Sequence, residues 1–209
     1  MKCVISIILP SYLGQYPRAA RNREAKLVRA IESVIKQTYT TWELIIISDG
    51  CNKTVQIVTD FLKTQPPEIV GKIHGYQIKK CKAWSGTPRN TGLQYATGVI
   101  ICYLDSDDTF GNNHLQFIAD SIKQNEWIWF DDKIFRGNVW HDNKCKITHR
   151  GDCGTSNIAH LRKLNVRWPD VSGYAMDDWN IIKSLRNFKG EYAGQGFYHT
   201  CHIPGKCDV

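Results

Sequence analysis

Apolar and polar positions alternate along this chain in blocks, and the period of each block predicts an element. Val4 to Leu9 is a continuous apolar, β-rich run closed by Pro10, the pattern of a strand buried on both faces of a parallel sheet. From Ala19 to Gln37 the apolar positions Leu27, Ala30, Ile31, Val34 and Ile35 recur at three and four, which predicts an amphipathic helix with its Arg and Lys facing outward. Trp42 to Ile47 reads as a second strand. Thr54 to Leu62 reads as a second helix that stops before Pro66-Pro67, because consecutive prolines cannot continue it. Lys72 to Lys79 predicts a third strand. Pro88 to Ala96 predicts a helix with Thr87 as N-cap, and Val99 to Leu104 a fourth strand.

Strands alternating with helices imply right-handed crossovers and a mostly parallel sheet with flanking helices, an α/β fold. Ligands of such sheets bind beyond the carboxyl ends of the strands, which is where Asp49 and Asp105 fall. The second half is less regular. A helix is expected from Asn113 to Lys123, a strand over Trp127 to Phe130, and a hairpin turn at Gly137-Asn138. Asn157 to Leu164 and Asp177 to Leu185 read as helical, and Tyr192 to Cys201 as extended. No repeat or linker divides the chain, so one domain is expected over residues 1–209.

Composition narrows the class. With 42% hydrophobic and 22% charged residues, the chain is neither disordered nor fibrous. No apolar run approaches the roughly 18 residues of a membrane span, and the N-terminus lacks the pattern of a signal peptide, so a cytoplasmic location is expected. A net charge of +7 suits an anionic partner: a nucleoside diphosphate, or the inner face of a membrane met peripherally. Nucleic acid is not expected. Lys79, Lys80 and Lys82 form only a modest cluster, with no aromatic-interleaved motif. Of the eight cysteines, Cys3 and Cys102 sit in apolar runs and read as core thiols. Cys145, His149, Cys153, Cys201, His202 and Cys207 can be drawn as a zinc site, but no CxxC pair anchors one, and reduced cysteines are the expectation.

Candidate chemistry gathers at Leu104-Asp105-Ser106-Asp107-Asp108. Three carboxylates crowded at a strand end repel one another unless a cation binds, and a hard cation such as Mn²⁺ or Mg²⁺ takes oxygen ligands while leaving room for phosphate. A solvated turn that caps a helix is the other reading. Asp49-Gly50 can place an acid near a base or ribose, or be an ordinary turn. Ser85 to Gly92 opens a helix whose free N–H groups and Arg89 could face a phosphate.

These segments resemble, in order and spacing, the inverting glycosyltransferases of family 2, which have the A-type nucleotide-sugar fold. Ser6-Ile7-Ile8-Leu9-Pro10-Ser11-Tyr12 resembles that family's opening strand, Asp49-Gly50-Cys51 its D-G-S element, Arg89-Asn90-Thr91-Gly92 its A-R-N-x-G helix start, and Asp105-Ser106-Asp107 its D-x-D signature. Tyr174-Ala175-Met176-Asp177-Asp178-Trp179 resembles its E-D pair, with Asp177 in place of the Glu. Tyr198-His199-Thr200-Cys201-His202 loosely resembles its closing histidine stretch.

The resemblance implies a nucleotide-sugar site from Pro10, Ser11, Tyr12, Asp49, Arg89, Asn90, Asp105 and Ser106. It implies a metal held by Asp107 and Asp105 with His202, and a catalytic base in Asp178 beside Asp177. Residues 1–110 would bind the nucleotide sugar, with a UDP-sugar favoured, and residues 111–209 would bind a glycan, lipid-linked or protein acceptor. The sequence departs from the family at Leu13, where Asn is usual, and in the extended loop Gly14 to Arg18. A nucleotidyltransferase is the rival enzyme, though the segment after the first strand holds only Gly14 where such enzymes carry a Gly-rich basic loop. A catalytically silent binding module is the rival without turnover.

Overall fold

The computed structural model describes residues 4–81, 86–169, 176–203 and 206–209, with the backbone alone at Met176 and Asp177. Cys3, Lys82, Ser85, Tyr174, Ala175 and the Asp177 side chain lie outside the described residues. Strand β1 (Ile5–Ser11) lies between β2 (Trp42–Asp49) and β4 (Ile100–Tyr103), with β3 (Ile73–Ile78) beyond β2, and all three pairings are parallel. The expected alternation supplies the crossovers: α1 (Arg23–Ile35), α2 (Asn52–Lys63) with a single turn α3 (Pro67–Val70), and α4 (Gly86–Tyr95). Thr87 is inside α4 rather than capping it, and its carbonyl accepts from Thr91 Oγ1 at 3.0 Å.

Alternation along the strands sends side chains to two apolar layers. Ile7, Leu9, Leu44 and Ile46 pack with Leu27, Ile31 and Val34 of α1, while Ile8, Ile45 and Ile47 face the opposite layer. Every residue of β2 is buried. The opening strand runs past its expected end through Pro10 and Ser11. Ile5 donates its amide toward the β2 side, so the amides of even-numbered residues point toward β4; Pro10 lies beyond Ile8, the last residue that β4 pairs, and its missing N–H breaks no ladder.

The second half extends the same sheet. Described strands β5 (Thr109–Phe110), β6 (Trp127–Arg136), β7 (Val139–Asn143), β8 (Ile158–Leu161) and β9 (Gly190–Thr200) join it, giving the order β3-β2-β1-β4-β8-β6-β9-β5 with β7 on β6. Its pairings are antiparallel except β6 with β9. Gly137 and Asn138 both have positive φ, as a tight hairpin turn requires. Helix α5 (His114–Ser121) follows β5, α6 (Met176–Leu185) precedes β9, and a short ribbon β10 (His202–Ile203) and β11 (Cys207–Asp208) closes the described chain.

The helix expected over Asn157 to Leu164 is a correction. Ile158–Leu161 is strand β8, flanked by single 3₁₀ turns at Thr155–Asn157 and Arg162–Leu164. Held between β4 and β6, it buries Ile158, Ala159 and His160, and a short run buried on both faces carries no period that separates strand from helix. Cys102 is a core thiol, and Cys145 and Cys153 pack in the layer that holds Trp168 and Ile181. Among the described residues no helix is long and apolar enough to cross a membrane.

Candidate active site

Parallel strands β1, β2 and β4 end together, so Ser11, Asp49 and Asp105 meet at one edge of the sheet. After β4 the chain turns tightly, with the Asp108 amide donating to the Asp105 carbonyl at 3.1 Å. The three acids of this turn have separate environments. Asp108 is buried and accepts from the Tyr198 hydroxyl at 2.8 Å and the Cys201 amide at 2.6 Å. Burial and the neighbouring Asp107 and Asp105 charges push its carboxyl well above the usual range. It therefore fixes the end of β9 to the turn. Tyr198 adds a second tie, its hydroxyl oxygen accepting from the Asp105 amide at 3.1 Å.

Asp107 has no such anchor among its described side-chain contacts. Burial first, then the Asp105 charge, raises its carboxyl to about 6, and His202 and Lys26 oppose the shift. His202 is thus close enough to favour the charged form of Asp107. Its ring nitrogens are engaged elsewhere: Nε2 lies 3.2 Å from the Arg18 carbonyl and Nδ1 3.3 Å from Asp208 Oδ1. Helix α1 adds positive charge, with Lys26 paired to Asp208 and Arg29 donating to the carbonyls of Val209 at 2.8 Å and Asp107 at 3.3 Å. Ser106 is half-buried in the turn.

Asp105 remains 39% exposed while Arg89, 5% exposed, donates to its Oδ1 at 2.8 Å. Arg89 lies on α4 and is held from behind by the Trp168 ring, 4.8 Å from the guanidinium carbon. Asp178 on α6 reaches the same place, although 73 positions after Asp105 in sequence. Burial raises its carboxyl above the usual range; the Arg89 guanidinium is the chief opposing influence, and the Asp105 charge adds to the rise. The Thr155 hydroxyl donates to Asp178 Oδ1 and sets its orientation. Asn90 does not open toward this edge: its amide bonds the Trp168 backbone.

On the expected base-binding side, Asp49 is buried and accepts from Lys80 Nζ at 2.6 Å, the Cys81 amide at 2.7 Å and the Cys81 thiol at 3.3 Å. Lys80 Nζ also stands 4.3 Å above the Tyr12 ring. Gly50 has φ +63, and a Cβ there would meet the Lys80 backbone at 2.5 Å, so only glycine lets the two segments approach. Arg23 donates to the carbonyls of Tyr12, Leu13 and Gly14 and pins the extended loop after β1. The Tyr16 hydroxyl of that loop has its pKa raised by burial and then by the nearby Asp107 charge. Ser11 is buried against the Thr54 hydroxyl at 3.1 Å, and Pro10 is half-buried at the strand end.

The donor chemistry of Asp105 and Asp107 fits a hard divalent cation: two carboxylates at one turn, one exposed and one raised first by burial and then by its acidic neighbour, with no described side-chain hydrogen bond of its own. Among the described residues no three His, Cys, Asp or Glu side chains converge on a single point, so remaining ligands would come from phosphate or water. Thr155 and Trp168 stand in none of the sequence motifs, and Tyr198 and Lys80 enter there only as part of a loose histidine stretch and a basic cluster; Thr155 meets Asp178, Trp168 meets Asn90, Tyr198 meets Asp105 and Lys80 meets Asp49, each at least 23 positions away.

A mixed sheet whose parallel edge ends in acids defines the class, the A-type nucleotide-sugar fold. Solved structures of that class overlay it: Staphylococcus aureus TarS 1–349 in complex with UDP-GlcNAc, at TM-score 0.73 and 18% identity, covering 97% of this chain and 59% of that one. A mannosyltransferase from Pyrobaculum calidifontis in complex with GDP-Man and Mn²⁺ overlays at TM-score 0.68 and 13% identity, covering 97% and 58%. The model of glycosyl transferase family 2 matches residues 19–176, and the chain belongs to that family. This match takes in Asp49, Arg89, Asn90 and Asp105 to Asp108 and stops just before Asp177 and Asp178.

Among curated relatives, the Escherichia coli glucosyltransferase WfgD, named for UDP-Glc and an α-D-GlcNAc-diphosphoundecaprenol, is 33% identical over 124 residues, 58% of this chain and 42% of that protein. The Staphylococcus aureus poly(ribitol-phosphate) β-N-acetylglucosaminyltransferase TarP is 32% identical over 123 residues, 58% of this chain and 33% of that protein. The chain thus spans less than half the length of these two relatives.

Proposed function

We propose that this chain carries an inverting, divalent-cation-dependent glycosyltransferase site that moves a sugar from a UDP-sugar to an acceptor hydroxyl. The observation that carries the reading is the grouping of Asp105, Arg89 and Asp178, brought from three elements to one strand edge. Asp105 and Asp107 would hold the cation, which supplies charge neutralisation for the departing diphosphate. Asp178 takes the proton of the acceptor hydroxyl as the new bond forms on the face of the sugar opposite the diphosphate, and that geometry inverts the anomeric centre. Its burial suits this role, since a carboxylate with a raised pKa is a stronger base than an exposed one. Thr155 keeps it aimed. Tyr12 and Asp49 would face the uracil and ribose, with Lys80 moving off Asp49 to admit them.

Residues 111–209 would receive the acceptor. The acceptors in the printed names of WfgD and TarP carry phosphate, and a net charge of +7 suits an acceptor of that kind, including a lipid-linked one met at a membrane surface. Family membership disfavours the nucleotidyltransferase alternative. The test is UDP release from UDP-sugars by the purified chain. Release is expected with Mn²⁺ and absent in excess EDTA, and undiminished release in EDTA would remove the cation from the reading. Asp178→Asn is expected to lower turnover by about 10²–10⁴-fold while leaving UDP affinity within about twofold; wild-type turnover in that variant would move the base elsewhere.

A further inference from the structure

Trp168 is apolar in character, 2% exposed, and lies outside every motif that the family resemblance supplied. Its surroundings are more specific than a core position needs. Asn90 of α4 donates from Nδ2 to the Trp168 carbonyl at 2.8 Å, and the Trp168 amide donates to Asn90 Oδ1 at 2.9 Å. One side-chain amide therefore pairs with both backbone groups of a single residue, as a neighbouring strand would.

The ring is held as firmly. The indole N–H can only donate, so the contact at 3.2 Å makes the Tyr103 oxygen the acceptor. The Tyr103 proton is then free for His160 Nε2 at 2.8 Å, and His160 Nδ1–H donates to the Leu161 carbonyl at 3.1 Å. Burial lowers His160 to about 4, so it stays neutral and every donor in the chain points one way. Tyr103 meets the indole edge-on, with centroids 5.2 Å apart at 82°. The free face of the indole carries the Arg89 guanidinium at 4.8 Å, and Arg89 holds Asp105 on its other side.

We propose that Trp168 is a positioning residue of this site: its ring fixes the guanidinium that holds Asp105, and its backbone, gripped by Asn90 of the helix that also carries Arg89, keeps the ring under that guanidinium. Arg89 and the acidic strand end then keep one geometry. A flat aromatic face suits this task because it stabilises a buried guanidinium without competing for the hydrogen bonds that Asp105 accepts. The inference rests on the glycosyltransferase reading above.

The experiment compares Trp168→Leu, which removes the platform, with Trp168→Phe, which keeps a smaller aromatic face and loses the indole N–H. UDP affinity in Mn²⁺ and the rate of UDP release are measured, and the melting temperature shows that each variant is folded. Trp168→Leu is expected to lower kcat/KM by about tenfold, the scale of a desolvated cation–π contact, and Trp168→Phe to recover it to within about threefold of wild type. In an Arg89→Met background, Trp168→Leu should add less than about twofold, because it acts through Arg89. A folded Trp168→Leu with wild-type kinetics, or full additivity with Arg89→Met, overturns the proposal. Should Trp168→Leu not fold, Asn90→Ala, which spares the ring, is read in its place: slowed release supports the proposal and wild-type release overturns it. A wild-type chain that binds no UDP-sugar in Mn²⁺ refutes the glycosyltransferase reading and this inference with it, whereas normal wild-type binding with an indifferent Trp168→Leu refutes the inference alone.

Discussion

His114 shows how much a single buried polar group can decide. It is fully buried beside the rings of Phe110 at 4.3 Å, Phe130 at 5.3 Å and Tyr198 at 6.0 Å, and neither ring nitrogen has a hydrogen-bond partner among the described residues. Burial lowers its pKa to about 3, so the fold holds it neutral. Leaving such a group unsatisfied costs about 1–3 kcal/mol, and His114→Leu, close in volume, is expected to stabilise the chain by part of that amount at pH 7. Linkage sharpens the test. The unfolded chain takes up a proton below about 6.5, while the folded chain does not until about 3, so wild-type stability is lost as pH falls through that window and the variant is spared the loss. Its advantage should grow by about 1.4 kcal/mol for each pH unit once pH is well below 6.5, levelling off near 3, read by urea unfolding. An advantage independent of pH would mean that His114 is partnered in solution.

Elements were legible where period and neighbours agreed. The alternation from Val4 to Leu104 was readable because each strand there is an unbroken apolar run and each helix has one apolar face, and β1, β2 and β4 duly deliver Ser11, Asp49 and Asp105 to one edge. In β8 the signal fails, because Ile158 to Leu161 is too short to show a period and is buried on both faces. Strand β6 hides Asp131 and Asp132 among apolar neighbours. Their charges are answered by Tyr192, Lys144 and the Cys145 amide, and by Asn143 and Thr200, partners that no local pattern announces. Trp168 is silent in the sequence for the same reason, since its partners Asn90 and Arg89 stand 78 and 79 positions earlier. Gly92 was visible as part of a motif, but its reason is packing: a Cβ there would stand 2.5 Å from Ile8 Cγ2, in the tightly packed core of β1. Gly92→Ala should therefore lower the melting temperature, because overpacking of about 1–3 kcal/mol outweighs the roughly 1 kcal/mol that alanine gains in a helix. A thermal melt at or above wild type would show that α4 can shift away from β1.

At the scale of the whole molecule, residues 1–110 and 111–209 share one sheet rather than meeting at an interface. Antiparallel β8 joins β4 on one side and β6 on the other, and β5, at the end of residues 1–110, pairs with β9. Asp108 reinforces the seam by accepting from Tyr198 and Cys201. Neither half can leave without exposing the edge of a strand buried in the other, and an unpaired buried ladder is costly. We therefore expect one cooperative unfolding transition. Far-UV circular dichroism reports helices and strands of both halves. Tryptophan fluorescence is weighted to residues 111–209, which hold Trp127, Trp129, Trp140, Trp168 and Trp179, against Trp42 and Trp84 in residues 1–110. In urea the two signals should fall on one curve with one midpoint. Separate midpoints would mean that residues 1–110 and 111–209 unfold independently, and that the spacing between Asp105 and Asp178 is set by docking of two domains instead of by a common sheet.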